Sequence, residues 1–232
     1  MRLDDQNEMR ALPLFAGVDV DNIDHLLRFS FLQRFPAHVE LVREGDPADF
    51  LNVIVDGQVE VFAGYRDRKT TVAVIGPGHS FIVAAVALDR ICLNSARTLS
   101  SARILMIPAD TVRQHFNGDA AFARMLASEL ADDYRDVVKD LKNQKLRSGL
   151  ERLANWLLAR DIVTGGKGRF DLPFDKKILA AKLGMAPEVL SRSFSALTSY
   201  GVSISGSAVV LEDIRALRKL AQPSPTIDDP FS

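Results

Sequence analysis

The sequence predicts an α+β protein in three parts: an N-terminal β-roll, a long amphipathic helix and a C-terminal winged helix-turn-helix. Three observations predict it. Short apolar stretches broken by glycine turns run from residue 38 to 107. Apolar residues then recur at helical spacing from Phe122 to Leu141. Finally, residues 175–201 read as two short helices around a glycine, and two strands meeting at Gly206 follow.

Taken in order, residues 1–30 read as helical, with Asp19 or Asp21 capping a helix that carries Ile23, Leu26 and Leu27 on one face. From about residue 35 the texture is β: residues 38–42, 51–55, 59–62, 70–75, 95–99 and 102–107. Turn residues separate them, among them Glu44-Gly45-Asp46-Pro47 and Gly76-Pro77-Gly78, and Asp56-Gly57 is a hairpin signal. Strands at this spacing read as a sandwich or roll, though pattern alone leaves any antiparallel β domain open. Beyond Pro108, Leu126, Leu130, Tyr134, Val137 and Leu141 form a narrow stripe between charged residues, as in a coiled coil. Its length and narrowness favour a homodimer helix over a surface helix packed on its own domain. The expected parts are therefore a sensor domain at 1–118, a dimerisation helix at 119–146 and a winged helix at 147–221. A disordered tail is expected at 222–232, where three prolines occur without periodicity.

Composition limits the alternatives. No apolar run among the 232 residues reaches the length of a membrane span, and the first ten residues lack a signal-peptide apolar region, so a cytoplasmic chain without membrane partners is expected. The single cysteine, Cys92, cannot supply a thiolate cluster for zinc or iron–sulfur. The net charge of −1 is not that of a whole-chain nucleic-acid binder, so any such surface must be a local patch. A P-loop, a Gly-x-Ser-x-Gly elbow and a His-Glu-x-x-His pair are all absent, so no enzyme is expected.

The most informative segment is 175–201. Asp175 is a plausible N-cap, Ile178, Leu179 and Leu183 give one apolar face, and Ala180 is small where a second helix must cross. Gly184 suits the turn, Pro187 the first turn of the next helix, and Gly201 its end. Leu190, Phe194 and Leu197 are the buried face of that second helix. Glu188, Ser191 and Arg192 fall at i, i+3 and i+4 near its N-terminal end, the end that enters a major groove in a recognition helix. Arg192 could bind a guanine edge bidentately, Glu188 could accept from a base amino group, and Ser191 could touch a neighbouring base. Lys176, Lys177 and Lys182 could neutralise phosphates of double-stranded DNA. The ordinary reading of Glu188 and Arg192 is a solvated surface pair. Turn glycine, small alanine, polar triad and following hairpin together favour DNA. A regulatory or scaffolding subunit, with a ligand-binding β domain and protein-binding helices, is the rival; aromatics or leucines would then be expected on that face.

With these residues in place, the chain resembles the family of the catabolite-activating cyclic-AMP receptor protein and the fumarate–nitrate reductase regulator. The resemblance covers roughly residues 10–220. Residues 187–192, Pro-Glu-Val-Leu-Ser-Arg, look like the Glu-x-x-Ser-Arg pattern of its oxygen- and nitric-oxide-responsive branch. That implies a cyclic-nucleotide-binding-like jelly roll, a parallel dimer helix and a TTGAT-like inverted repeat, with Arg192 on the guanine, Ser191 on a thymine and Glu188 on amino-bearing bases. It leaves room for RNA polymerase as a partner.

The sensor departs from the family. The cyclic-AMP branch carries Gly-Glu after a Pro-Gly turn and then Arg-Ser-Ala. Here Pro77-Gly78 is followed by Phe81-Ile82-Val83-Ala84-Ala85-Val86, and Asn94-Ser95-Ala96 stands for the arginine segment. A buried phosphate would lack its arginine, which argues against cyclic AMP. An iron–sulfur cluster is argued against by the single cysteine. Some nitric-oxide-responsive relatives carry haem near the apolar stretch 81–88, which leaves His79 or Cys92 as candidate ligands. The plainer reading makes His79 a solvated loop residue and Cys92 a small core residue.

Overall fold

The computed structural model describes residues 3–229. The expectation of disorder at 230–232 falls outside the described residues. The chain divides into two compact units, one ending at Tyr134 and the other beginning at Arg135.

The first unit opens with α1 (Leu3–Arg10), a 3-10 turn (Pro13–Phe15) and α2 (Val20–Arg28). Asp19 caps α2, its carboxylate accepting from the Asp21 amide at 2.9 Å. Strands β1 (Phe31–Phe35), β2 (Glu40–Val42), β3 (Phe50–Asp56), β4 (Val59–Tyr65), β5 (Arg68–Ile75) and β6 (Ser80–Phe81) follow. After α3 (Val83–Leu88) come β7 (Ser95–Thr98), β8 (Ala102–Pro108), α4 (Ala109–Gly118) and α5 (Ala120–Leu146). The strands form two antiparallel four-stranded sheets, ordered β1-β8-β3-β6 and β2-β7-β4-β5.

Strand alternation decides what each face buries. Ile54 and Ile104 of one sheet join Val59, Val61 and Ala96 of the other in a core that also takes Phe81. Leu51, Val53, Leu105 and Ile107 turn the opposite way and pack on Met9, Ile23, Leu26, Val112, Phe122 and Leu126 of the helices. Each such side chain contributes roughly 1.5–3 kcal/mol on burial.

Three expectations are corrected here. Asp56-Gly57 is not a hairpin: β3 pairs with β8 and β6, whereas β4 pairs with β5 and β7, so this turn carries the chain from one sheet to the other. Only glycine serves there, since φ is +89° and a Cβ would lie 2.5 Å from the Ser101 carbonyl oxygen. The apolar run at 81–88 is largely helix α3. Leu126, expected on the dimer stripe, is fully buried in its own unit beside Phe122 and Met125, and Leu130 packs partly against the same core. The exposed remainder of the stripe is Tyr134 (70%), Val137 (59%) and Leu141 (51%).

The third correction concerns the tail. In the second unit, α6 (Gly149–Val163), β9 (Arg169–Asp171), α7 (Lys176–Lys182), α8 (Pro187–Leu197), β10 (Val202–Ser205), β11 (Ala208–Leu211) and α9 (Ile214–Ala221) are followed by a further helical turn, α10 (Pro225–Asp228). Residues 222–229 are held, not loose. Asp228 makes a bidentate ion pair with Arg147 at 2.5 and 2.6 Å, and Lys142 donates to the Thr226 hydroxyl at 2.8 Å. A reciprocal capping box starts α6, with Ser148 and Glu151 each bonding the other's amide. Strands β10-β11-β9 form a small sheet over a separate core of Leu153, Leu157, Phe170, Leu179, Phe194 and Leu217.

Candidate nucleic-acid interface

Helices α7 and α8 form the expected helix-turn-helix. Leu179, Ala180 and Leu183 bury one face of α7; Leu190, Phe194 and Leu197 bury one face of α8. Ile178 is only half-buried, outside that core. Gly184 takes φ +62° at the turn, and the Met185 amide closes back on the Ala180 carbonyl at 2.9 Å. Pro187 opens α8 and Gly201 follows its end at φ +75°, where a Cβ would lie 2.5 Å from the Asp213 amide nitrogen. Asp175 stands at the N-cap of α7, but its side chain caps nothing.

Burying that face turns Glu188, Ser191 and Arg192 outward, all exposed. Their spacing makes Glu188 and Arg192 a natural surface ion pair. Yet among the described residues neither side chain has a hydrogen-bond or ion-pair partner. Both heads are free for an external ligand. Sequence reasoning missed Ser195, which continues the exposed face one turn on and donates to the Ser191 carbonyl at 3.2 Å. Its i+4 spacing from Ser191 was the available signal.

The three lysines part company. Lys177 is exposed, and Lys176 places its ammonium 5.9 Å from the Phe194 ring centre. Lys182 is half-buried and lines a cleft of about 120 Å³ with Asp140, Gln144 and Trp156. Burial pushes the Asp140 carboxyl up, Lys182 pulls it back down and Asp136 adds to the rise. The structure therefore does not bring Lys182 together with the other two. Near the wing, whose tip Gly206 is unobstructed, Lys167 and Arg169 are exposed cations that the sequence reading passed over.

Arg152 of α6 holds the turn from behind. Its guanidinium donates to the carbonyls of Leu183 at 2.8 Å, Gly184 at 3.4 Å and Arg147 at 2.8 Å. These are orphan carbonyls at the ends of α7 and α5, groups that a helix cannot satisfy internally.

In the first unit, His79 is exposed on the turn before β6, whereas Cys92 is buried in the core that faces the helices. Burial pushes the Cys92 thiol up, and Asp46 and Asp49 add to the rise. The sulfur is enclosed, with the residue only 1% exposed, so iron has no open side from which to approach it. Among the described residues no group of three or more His, Cys, Asp or Glu could hold a metal ion. Phe81 fills the roll interior, and Arg97 is engaged with the buried Glu60 at 2.7 Å and stacks on Phe62. Glu129 of α5 accepts from the Ser80 hydroxyl at 2.9 Å and from its amide at 3.3 Å.

Comparison with known proteins agrees with this geometry. Residues 32–119 match the family model for a cyclic nucleotide-binding domain, and residues 151–220 match that for a Crp-like helix-turn-helix domain. A CRP-like cAMP-activated global transcriptional regulator of Mycobacterium tuberculosis is 23% identical over 215 residues, covering 90% of this chain and 96% of its own. A cyclic AMP receptor protein of Thermus thermophilus is 26% identical, over 87% and 93% of the two chains. The solved structure of FixK2 from Bradyrhizobium japonicum superposes with a TM-score of 0.73 at 22% identity, over 84% of this chain and 98% of that one. No described helix is long and apolar enough to cross a membrane.

Proposed function

Because the chain belongs to the CRP/FNR family of DNA-binding transcription regulators, we propose that it reads an inverted repeat of TTGAT-like half-sites as a cytoplasmic homodimer. The outward, unpaired face of Glu188, Ser191 and Arg192 carries the reading. A rigid helix with its apolar side fully committed to its own core offers a partner only those polar heads, at major-groove spacing. Dimerisation runs through Tyr134, Val137 and Leu141, whose exposed apolar surface needs a cover. Two copies then place two recognition helices one helical turn of DNA apart. Lys176 and Lys177 supply phosphate contacts beside the base-reading face.

The effector is not cyclic AMP in this proposal, although two relatives bear that ligand in their names. Phe81 occupies the interior, Asn94 stands where the resemblance expects an arginine, and Arg97 already serves Glu60. A nucleotide phosphate would be buried without a cation, which costs more than its other contacts return.

The deciding experiment is selection of duplexes from a random pool by the purified full-length protein. Enrichment of an inverted repeat with a ten-base-pair centre-to-centre spacing supports the reading. A pool that stays random, while the protein captures other proteins, would favour a scaffolding subunit instead.

A further inference from the structure

The structure assigns to Arg152, Arg147 and Asp228 a shared positioning role in DNA recognition, a role that rests on the DNA reading proposed above. The three residues form one chain of contacts from the C-terminal tail to the turn that precedes the recognition helix. Asp228 grips the Arg147 guanidinium with both carboxylate oxygens, in a pair whose side chains are only 12% and 9% exposed. The same carboxylate accepts from the Ser224 amide at 2.6 Å, and Arg147 also donates to the Gln222 carbonyl at 3.5 Å. The tail from 222 to 228 is therefore folded around this one guanidinium. The backbone carbonyl of Arg147, just past the last residue of α5, is in turn held by Arg152. The other nitrogens of Arg152 hold Leu183 and Gly184, two of the carbonyls that shape the turn into α8.

A single planar fork thus ties the end of α5 to the turn of the helix-turn-helix, and a second fork fixes the residue it is tied to. Lysine could not replace Arg152, because one ammonium cannot span carbonyls of two separate helix ends. The turn itself is narrowly defined: Gly184 takes φ +62°, a conformation that side-chain-bearing residues rarely adopt, and it lies in van der Waals range of the Gln144 side chain of α5. Any tilt at residue 184 is carried along the rigid α8 to Arg192. Base-edge hydrogen bonds tolerate only small displacements, whereas phosphate contacts by flexible lysines tolerate large ones. Loosening the junction should therefore damage discrimination between sequences more than affinity for DNA as such.

The test uses full-length Arg152→Gln, Asp228→Asn and Asp228→Glu, with fluorescence anisotropy on two duplexes. One carries inverted TTGAT half-sites; the other has the same composition shuffled. We expect Arg152→Gln and Asp228→Asn each to weaken binding to the inverted repeat roughly tenfold, the middle of the range for mutations that alter coupling between sites. Binding to the shuffled duplex should stay within about twofold of the unsubstituted protein, since the phosphate-facing lysines are untouched. Asp228→Glu should keep the preference, and the double variant should lose little more than the worse single one, because the residues act in one network. An unchanged preference in both single variants, accompanied by a lower melting temperature, would overturn the proposal and leave the arginines a purely structural role. Should Arg152→Gln not fold, Asp228→Asn decides alone, as it lies outside the apolar core. A lack of preference in the unsubstituted protein would overturn the DNA reading itself, and this one with it.

Discussion

Arg192 is exposed, unpaired and midway along a helix whose other face is fixed, so its substitution should act on recognition without disturbing the fold. Arg192→Ala is expected to cost about 1–3 kcal/mol at one base pair and to relax the choice there, which competition by duplexes changed at single positions would reveal. Equal losses on specific and random DNA would contradict a base-reading role. Asp140 makes a different prediction. Burial, the largest influence, holds its carboxyl above the ordinary range, with Lys182 opposing and Asp136 reinforcing. The folded protein therefore binds this proton more tightly than the unfolded chain, and stability is lost as pH rises from the ordinary carboxylate range through the raised one. Asp140→Asn should raise the melting temperature of the second unit at neutral pH, and the gain should vanish in acid. The Glu188, Ser191 and Arg192 face was legible because helical spacing alone brings i, i+3 and i+4 together. The turn of Lys182 toward Asp140 was not, because it depends on a helix more than thirty residues earlier in the chain. Arg152 was equally invisible, for its partners are backbone carbonyls that carry no sequence signature.

At the scale of elements, α5 shows what periodicity tells and what it withholds. The four- and three-residue spacing identifies the helix, yet the same spacing serves burial in one's own core and burial against a second copy. Leu126 takes the first role, while Val137 and Leu141 remain exposed. Leu126→Ala should therefore destabilise the first unit by about 2–5 kcal/mol, measured by denaturant unfolding. Val137→Asp with Leu141→Asp should leave that unit's stability alone and shift the protein toward monomer in analytical ultracentrifugation. A dimer unaffected by both changes would place the interface elsewhere. Strand β1 escaped the sequence reading for a related reason: none of Phe31–Phe35 is fully buried, and the alternation that marks a strand is blurred. The Asp56-Gly57 turn misled because glycine at positive φ serves a sheet-to-sheet crossing as well as a hairpin.

For the whole molecule, the interior of the roll decides what room it has for a ligand. Ile54, Ile104, Val59, Val61 and Phe81 meet there, and the carboxylate of Glu129 is bonded to Ser80 at its margin. Added cyclic AMP should leave the melting temperature unchanged even at millimolar concentration, because a ligand stabilises only by binding the folded state. A rise of several degrees would show that the core opens to admit a nucleotide. The fold class was legible throughout, since glycine turns, helical spacing and the final hairpin each point to one layer of the architecture.

The pairing of β1 with β8, which sets Phe31 opposite Met106, has a consequence for the order of events during synthesis. A ribosome releases β1 long before its partner exists, so the strand must wait with both edges bare while the rest of the roll is made. Closure of that sheet is a late, non-local step, and such steps are slow. In the second unit β10 and β11 are joined by two residues and can zip as they emerge, while β9 waits for β11 over a shorter stretch of chain than β1 waits for β8. The second unit should thus close its sheet after a shorter wait than the roll. Until then the nascent β1, with Phe31 and Phe35 uncovered, is the part of the molecule most in need of a chaperone's shelter.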